Sequence, residues 1–265
     1  MKKIFTLVAA TLVLGTISVF GQSMKITKTD GSVYSFNTED IKTVEFVEAA
    51  QADKENGYDF VDLGLPSGTM WAKCNVGATV PEAAGDYFAW GEVETKSDYT
   101  SITYKYAAGS LEGEQDYDAL AGVSKYNTSF TMGKVDNRKV LEPEDDAAHV
   151  NMGGAWRMPT IEEWTELLTY CTMKATKINE VMGYTFTAQN GNSIFIPSVG
   201  LRYGEIQMFN GPIESMIFGF YWSSSLCTED CSMAQYVHTG NAQSTTPLGF
   251  SYRFYGQSVR AVFKK

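Results

Sequence analysis

The sequence predicts an α+β protein built from short antiparallel strands and about two helices. Three observations carry that expectation. Apolar and aromatic runs recur along the chain, separated by Gly, Pro, Asn, Asp and Ser. Only residues 160–171 combine a helical apolar period with strong capping residues, and a second helix start stands near Pro143. These one or two helices are inserted among many strand-like runs, an α+β arrangement.

The first residues, MKKIFTLVAATLVLGTISVFGQ, place Lys2 and Lys3 before an apolar run from residue 4 to about residue 13. Small residues follow, with Val19 and Gly21 where a cleavage site needs them. This is the pattern of a secretory signal peptide, too short and too weakly flanked for a membrane span. Residues 1–21 are therefore expected to be a cleaved signal. No cysteine stands at the cut, which argues against a lipid anchor. The expected address is the periplasm, the outer surface or the medium.

Residues 22–48 read as a small β module. Extended runs at 24–27 and 32–36 flank Asp30-Gly31, a hairpin turn signal, and a third run covers 42–47. So small a unit has little core and is marginal alone. AAQADKENG, residues 49–57, reads as a polar linker. The main domain then spans residues 58–265.

That domain begins with short apolar strands in YDFVDLGLPSGTMWAKCNVGA, broken by Gly64, Pro66-Ser67-Gly68 and Gly77, and an aromatic strand in GDYFAWGEVE. Residues 97–140 are rich in Tyr, Ser, Thr, Asp and Gly with weak periodicity and read as a long structured loop region. EPEDDAAHV puts Pro143 and acids at a helix start, favourable against the helix dipole. In TIEEWTELLTYC, Thr160 caps the helix and Glu163 closes the capping box. Ile161, Trp164, Leu167, Leu168 and Cys171 then share one face. A hairpin about Asn190-Gly191 follows, then three strand-like runs, GFYWSSS, MAQYVHT and QSVRAVF.

Charge excludes some partners. Lys and Arg number 21 against 31 acids. Losing Lys2 and Lys3 with the signal leaves 19 against 31, a net −12. Without a basic block, the chain is not expected to bind nucleic acid or to insert into a membrane. An aromatic content of 13% is ample for a large core.

Catalytic groups are scarce. His149 and His238 lie far apart without metal-ligand spacing, and Ser223, Ser224 and Ser225 lack the nucleophile-elbow glycines. No enzyme activity is expected. The four cysteines, Cys74, Cys171, Cys227 and Cys231, allow three pairings, and that of Cys74 and Cys171 stays open. For Cys227 and Cys231, spaced C-x-x-x-C in an exported chain, a local disulfide is the preferred reading. No cofactor is expected; the one alternative kept is calcium held by Asp136, Asn137, Glu142, Asp145 or Asp146, since hard cations take clustered oxygens.

Six blocks appear in order: YDFVDLGLPSGTMWA, GDYFAWGE, DDAAHVNMGGAWRMPTIEEWTELL, IFIPSVG, YWSSS and SVRAVF. Over roughly residues 58–263 they resemble the Fibrobacter succinogenes major paralogous domain family of exported bacterial proteins. That family looks like a branch of the C-type-lectin-like fold that also holds formylglycine-generating enzymes. The N-terminal segment is similar to modules that follow signal peptides in secreted Bacteroidetes proteins. The resemblance implies a C-type-lectin-like domain preceded by a β-hairpin module. It also implies a ligand face made by loops near the last strands.

Transferred to this chain, that face comprises Tyr203, Gln207, Phe209, Asn210, Glu229, Asp230, Asn241, Tyr252, Arg253 and Tyr255. Aromatic and amide side chains on adaptable loops suit recognition. The expected function is surface recognition or adhesion, with a glycan or protein ligand. Two alternatives remain: a formylglycine-generating-type oxidase using Cys227 and Cys231, or a structural subunit of a surface assembly. The GGAWRMPTIEEW corner is read as scaffold, with Trp156 as an apolar anchor and Arg157 bonded to a carboxylate or carbonyls across the domain.

Overall fold

A computed structural model of the chain describes residues 23–27, 32–40, 54–108, 120–209, 218–240 and 247–265. The signal segment, the Asp30-Gly31 turn and the run at 42–47 lie outside the described residues. The chain divides into two compact units, residues 1–51 and 52–265. In the first unit, β1 (Ser23–Thr27) and β2 (Val33–Asn37) form an antiparallel hairpin in which Ser23 faces Asn37 and Thr27 faces Val33.

The second unit opens with β3 (Lys54–Glu55), β4 (Tyr58–Asp62), β5 (Thr69–Ala72) and β6 (Tyr87–Phe88). Helices α1 (Ala147–Met152) and α2 (Ile161–Tyr170) follow. The chain then runs through β7 (Cys171–Ile178), β8 (Val181–Ala188), β9 (Ser193–Pro197), β10 (Leu201–Tyr203) and β11 (Ile206–Met208). It ends with β12 (Gly219–Leu226), β13 (Met233–Thr239), β14 (Leu248–Tyr252), β15 (Gln257–Ser258) and β16 (Val262–Lys264). The strands make a five-stranded sheet ordered β14-β13-β12-β15-β6, a four-stranded sheet β16-β5-β4-β3, a three-stranded sheet β7-β8-β9 and the β10-β11 pair. Pairing is antiparallel except between β12 and β15. The described residues thus form mainly antiparallel sheets with two α-helices.

Two stretches differ from the sequence reading. The end of the expected linker is structured: Asn56 (φ 46°) and Gly57 (φ 87°) turn β3 back onto β4. That pair of positive φ values is the hairpin turn that Asn-Gly favours. Two-residue strands are too short for alternation to announce them. Cys171, expected on the helix, and residues 172–178, given no element from sequence, form β7, an edge strand with Thr172, Met173, Lys174 and Ala175 all exposed. With both faces wet, it carries no apolar period.

The GGAWRMP corner joins elements from across the chain. Gly153 and Gly154 turn at positive φ (66° and 60°). Trp156 is fully buried, and its indole N–H donates to the Glu55 carbonyl at 2.8 Å. Arg157 exchanges backbone bonds with Val262 of β16. Its guanidinium grips both Glu163 oxygens at 2.6 Å each, the bidentate geometry that gives charge-assisted bonds strength and direction. Glu163 also accepts from the Thr160 N–H, completing the capping box, and the Pro159 carbonyl accepts from Ser224 of β12. Helix α2 then buries Trp164 and Leu167 against Trp71, Tyr221 and Val237. A second core gathers Trp90, Trp156 and Trp222.

Candidate functional site

The five-stranded sheet sets the site. Register places Phe220 opposite His238 and Trp222 opposite Tyr236, with Gly249 of β14 beside Tyr236. Paired residues share a face, so Phe220, Tyr236 and His238 lie on the face opposite Val237, which packs under α2. Phe218 precedes β12 and Phe209 follows β11, and both join this face. The rings form one strip: Phe209–Phe220 at 5.5 Å, Phe209–Phe218 at 6.0 Å, Phe220–Tyr236 at 5.7 Å and Tyr236–His238 at 6.1 Å. Gly249 is required here, because a Cβ would stand 2.9 Å from the Tyr236 ring. Phe218, Phe220, Tyr236 and His238 are half-buried and Phe209 is exposed. Ile206 and Met208, exposed on β11, extend the apolar surface beside Phe209. The strip carries no carboxylate or ammonium of its own; Tyr236 and His238 supply its polar atoms.

The residues expected at the ligand face separate into several environments. Tyr203 and Tyr255 meet at 5.2 Å, and Tyr252 stacks on Phe254 at 5.4 Å; these three tyrosines are half-buried. Gln207 turns inward, donating to the Tyr87 hydroxyl at 2.7 Å and to the Val199 carbonyl at 3.1 Å. Glu229 is exposed, and Asp230, also exposed, accepts from the Ser232 N–H and hydroxyl. Asn210 and Asn241 lie outside the described residues.

Arg253 is corrected outright, being fully buried rather than on a ligand face. It donates to the Tyr104 hydroxyl and to the carbonyls of Lys125, Tyr126 and Cys231, with its guanidinium 4.9 Å from the Trp90 ring. The strip members Phe218, Phe220, Tyr236 and His238 were not expected. Their signal was the i, i+2 spacing of large rings in FGFYW and QYVH.

The expected Cys227–Cys231 disulfide is absent. Both thiols are free and buried, and the Cys231 thiol donates to the Asn127 side-chain carbonyl at 3.2 Å. Cys171 is free and buried as well. Cys74, free and half-buried, lines a cleft of about 270 Å³ with Tyr58, Asp59, Asn75 and Met152. Burial pushes the Cys74 and Cys171 thiols above their usual range, favouring the protonated, less nucleophilic form.

A lysine stands inside the acidic cluster. Glu142, Glu144 and Asp145 bring oxygens within 4.8 Å of one another. The Lys125 ammonium sits among them, at 2.7 Å from Glu142, 3.3 Å from Glu144 and 2.5 Å from Asp145. Asp145 also accepts from Lys105 and from the Tyr106 and Tyr126 hydroxyls. Although burial opposes its charge, these donors hold its carboxyl down at about 2. Asp136 accepts from the backbone N–H groups of Tyr126, Asn127 and Arg138, and Asp146 from those of His149 and Met158. Asn137 holds a left-handed turn at φ 56°. The two histidines do not meet at a metal-binding group: His149 contacts the Trp156 carbonyl at 3.1 Å, whereas His238 belongs to the strip.

Compared with known proteins, the chain matches no protein family, no curated sequence and no solved structure. Among the described residues, no helix is long and apolar enough to cross a membrane.

Proposed function

We propose that the chain is an exported, non-enzymatic recognition protein that binds a glycan or protein ligand at the bacterial cell surface. The reading takes residues 58–265 as a C-type-lectin-like domain of the major paralogous group that the six sequence blocks resemble. The signal-like start supports export. The observation that carries binding is the aromatic strip: five rings in contact on one sheet face, none of them fully buried. Rings left half in water by a well-packed sheet offer flat apolar area at little entropic cost to a partner. Tyr236 adds a hydroxyl that orients what stacks there. The oxidase alternative loses its footing in the burial of Cys227 and Cys231, since a nucleophilic thiol needs access.

A glycan and protein array probed with the purified chain tests the proposal. Phe209→Ala, at an exposed ring, is expected to lower capture of any ligand found by about tenfold or more, as hot-spot aromatics do. A ligand retained at full strength by both Phe209→Ala and Phe220→Ala refutes the assignment of the site.

A further inference from the structure

We infer that β14 is a pairing edge through which two copies of this chain join their five-stranded sheets. The direction of its backbone groups can be worked out from its neighbours. Alternate residues of an antiparallel strand turn N–H and C=O toward the partner and away from it. The His238 N–H donates to the Pro247 carbonyl at 2.8 Å, and the Arg253 N–H donates to the Ser232 carbonyl at 3.2 Å. Residues 247, 249, 251 and 253 therefore face β13, while Leu248, Phe250 and Tyr252 turn their backbone groups outward. The Tyr252 carbonyl accepts from the Tyr255 N–H. Among the described residues, no strand lies beyond β14 to meet the outward N–H and C=O of Leu248 and Phe250 or the N–H of Tyr252.

Sheet edges usually carry a charge, an internal proline or a bulge that forbids strand addition. β14 has none of these. Its five residues, LGFSY, are uncharged, and its register with β13 is continuous. Phe250 is 52% exposed and Leu248 36% exposed, large apolar side chains at an edge left open among the described residues.

The occupant follows from the pattern of the strand. Read from either end it runs large, small, large, small, large, with Phe250 at its centre. A two-fold axis through Phe250 sets Phe250 against Phe250 and Leu248 against Tyr252, the self-complementarity that an isologous contact requires. Gly249 and Ser251, the two small residues, then meet on the other face. In a chain of net charge −10, this uncharged edge brings no like charges together. A second copy is thus the partner whose chemistry the strand already contains.

Sedimentation velocity of the purified chain, run from nanomolar to high micromolar concentration, reads the outcome. The wild type is expected to reach twice the monomer mass. Phe250→Lys and Phe250→Glu should each stay monomeric, because the axis then opposes two like charges. Their equimolar mixture should recover the dimer. Phe250→Cys gives a separate readout, a covalent dimer on mild oxidation, should either charged variant fold poorly. A monomeric wild type at high micromolar concentration overturns the inference. So does a dimer that both charged variants keep, a mixture of folded variants that stays monomeric, or a Phe250→Cys chain that does not cross-link.

Discussion

Replacing Arg253 separates a structural guanidinium from a ligand-binding one. In Arg253→Met the chain keeps most of the side-chain volume and loses every donor. The carbonyls of Lys125, Tyr126 and Cys231, now bonded at 3.0–3.3 Å, are left without that partner, as is the Tyr104 hydroxyl that accepts at 2.8 Å. A buried acceptor deprived of its donor costs about 1–3 kcal/mol. The aromatic walls, with Trp90 at 4.9 Å and Tyr104 at 5.3 Å, also lose a desolvated cation–π contact, about 2 kcal/mol. After allowing for water entry and for better solvation of a neutral side chain, the net loss is about 3–6 kcal/mol. Against a typical domain stability of about 5–15 kcal/mol this is severe. In a domain of this size it lowers Tm by roughly 6–24 °C. Urea and thermal unfolding followed by tryptophan fluorescence measure it. A loss below about 1 kcal/mol would refute the argument, because a solvent-facing arginine waiting for a ligand behaves that way.

Asp145 predicts an acid limb. Its folded carboxyl, at about 2, lies below the unfolded value of about 3.9, so its stabilisation is present above pH 4 and is lost as pH falls from about 4 toward 2. Asp145→Asn should be less stable at neutral pH and should lose less stability over that window; parallel acid limbs for the two proteins would count against the assignment. Thiol titration should find Cys74 the only cysteine open to reagent in the folded chain, with Cys171, Cys227 and Cys231 appearing on denaturation. A count of two protected sulfurs after denaturation without reductant, mapped to the peptide holding Cys227 and Cys231, would instead establish the disulfide that the sequence suggested.

What could be read from sequence was local. The Thr160–Glu163 capping box and the Asn190-Gly191 turn depend on residues within a turn or two of one another, whereas Arg157, expected to reach across the domain, grips Glu163 only six residues on. What could not be read depends on register and distance. Arg253 stands in SYRFYG, a stretch whose composition suits a recognition loop, but its carbonyl partners at Lys125 and Tyr126 lie more than a hundred residues away. Phe220 and Tyr236 were visible as strand residues. Which side of β12 and β13 the α2 helix would cover was not, nor that the opposite face would bury Trp222 in the second core while leaving Phe220 and Tyr236 half-exposed. The cysteines failed for the same reason: four residues of separation permit a bridge, but the packing around Asn127 draws Cys231 elsewhere.

The two fully buried arginines suggest how a chain with so much irregular backbone holds the aromatic strip still. Loops carry carbonyls that no ladder satisfies, and each one buried costs free energy unless it finds a donor. A guanidinium offers five N–H groups in a rigid fork. Arg253 uses its fork on the carbonyls of residues 125, 126 and 231, pinning the long loop region to the β12–β13 connection. Arg260 does the same for Ala72, Lys73 and Phe195, tying β5 to β9, with Asn75 at 2.9 Å. Neither has a carboxylate among these partners, and burial lowers the Arg260 pKa from its ordinary value. The charge is tolerated because several carbonyl dipoles converge on it. Such ties make the backbone behind the five-stranded sheet resist displacement, so the Phe209–Tyr236 strip is presented as a preformed surface whose ordering cost was met on folding.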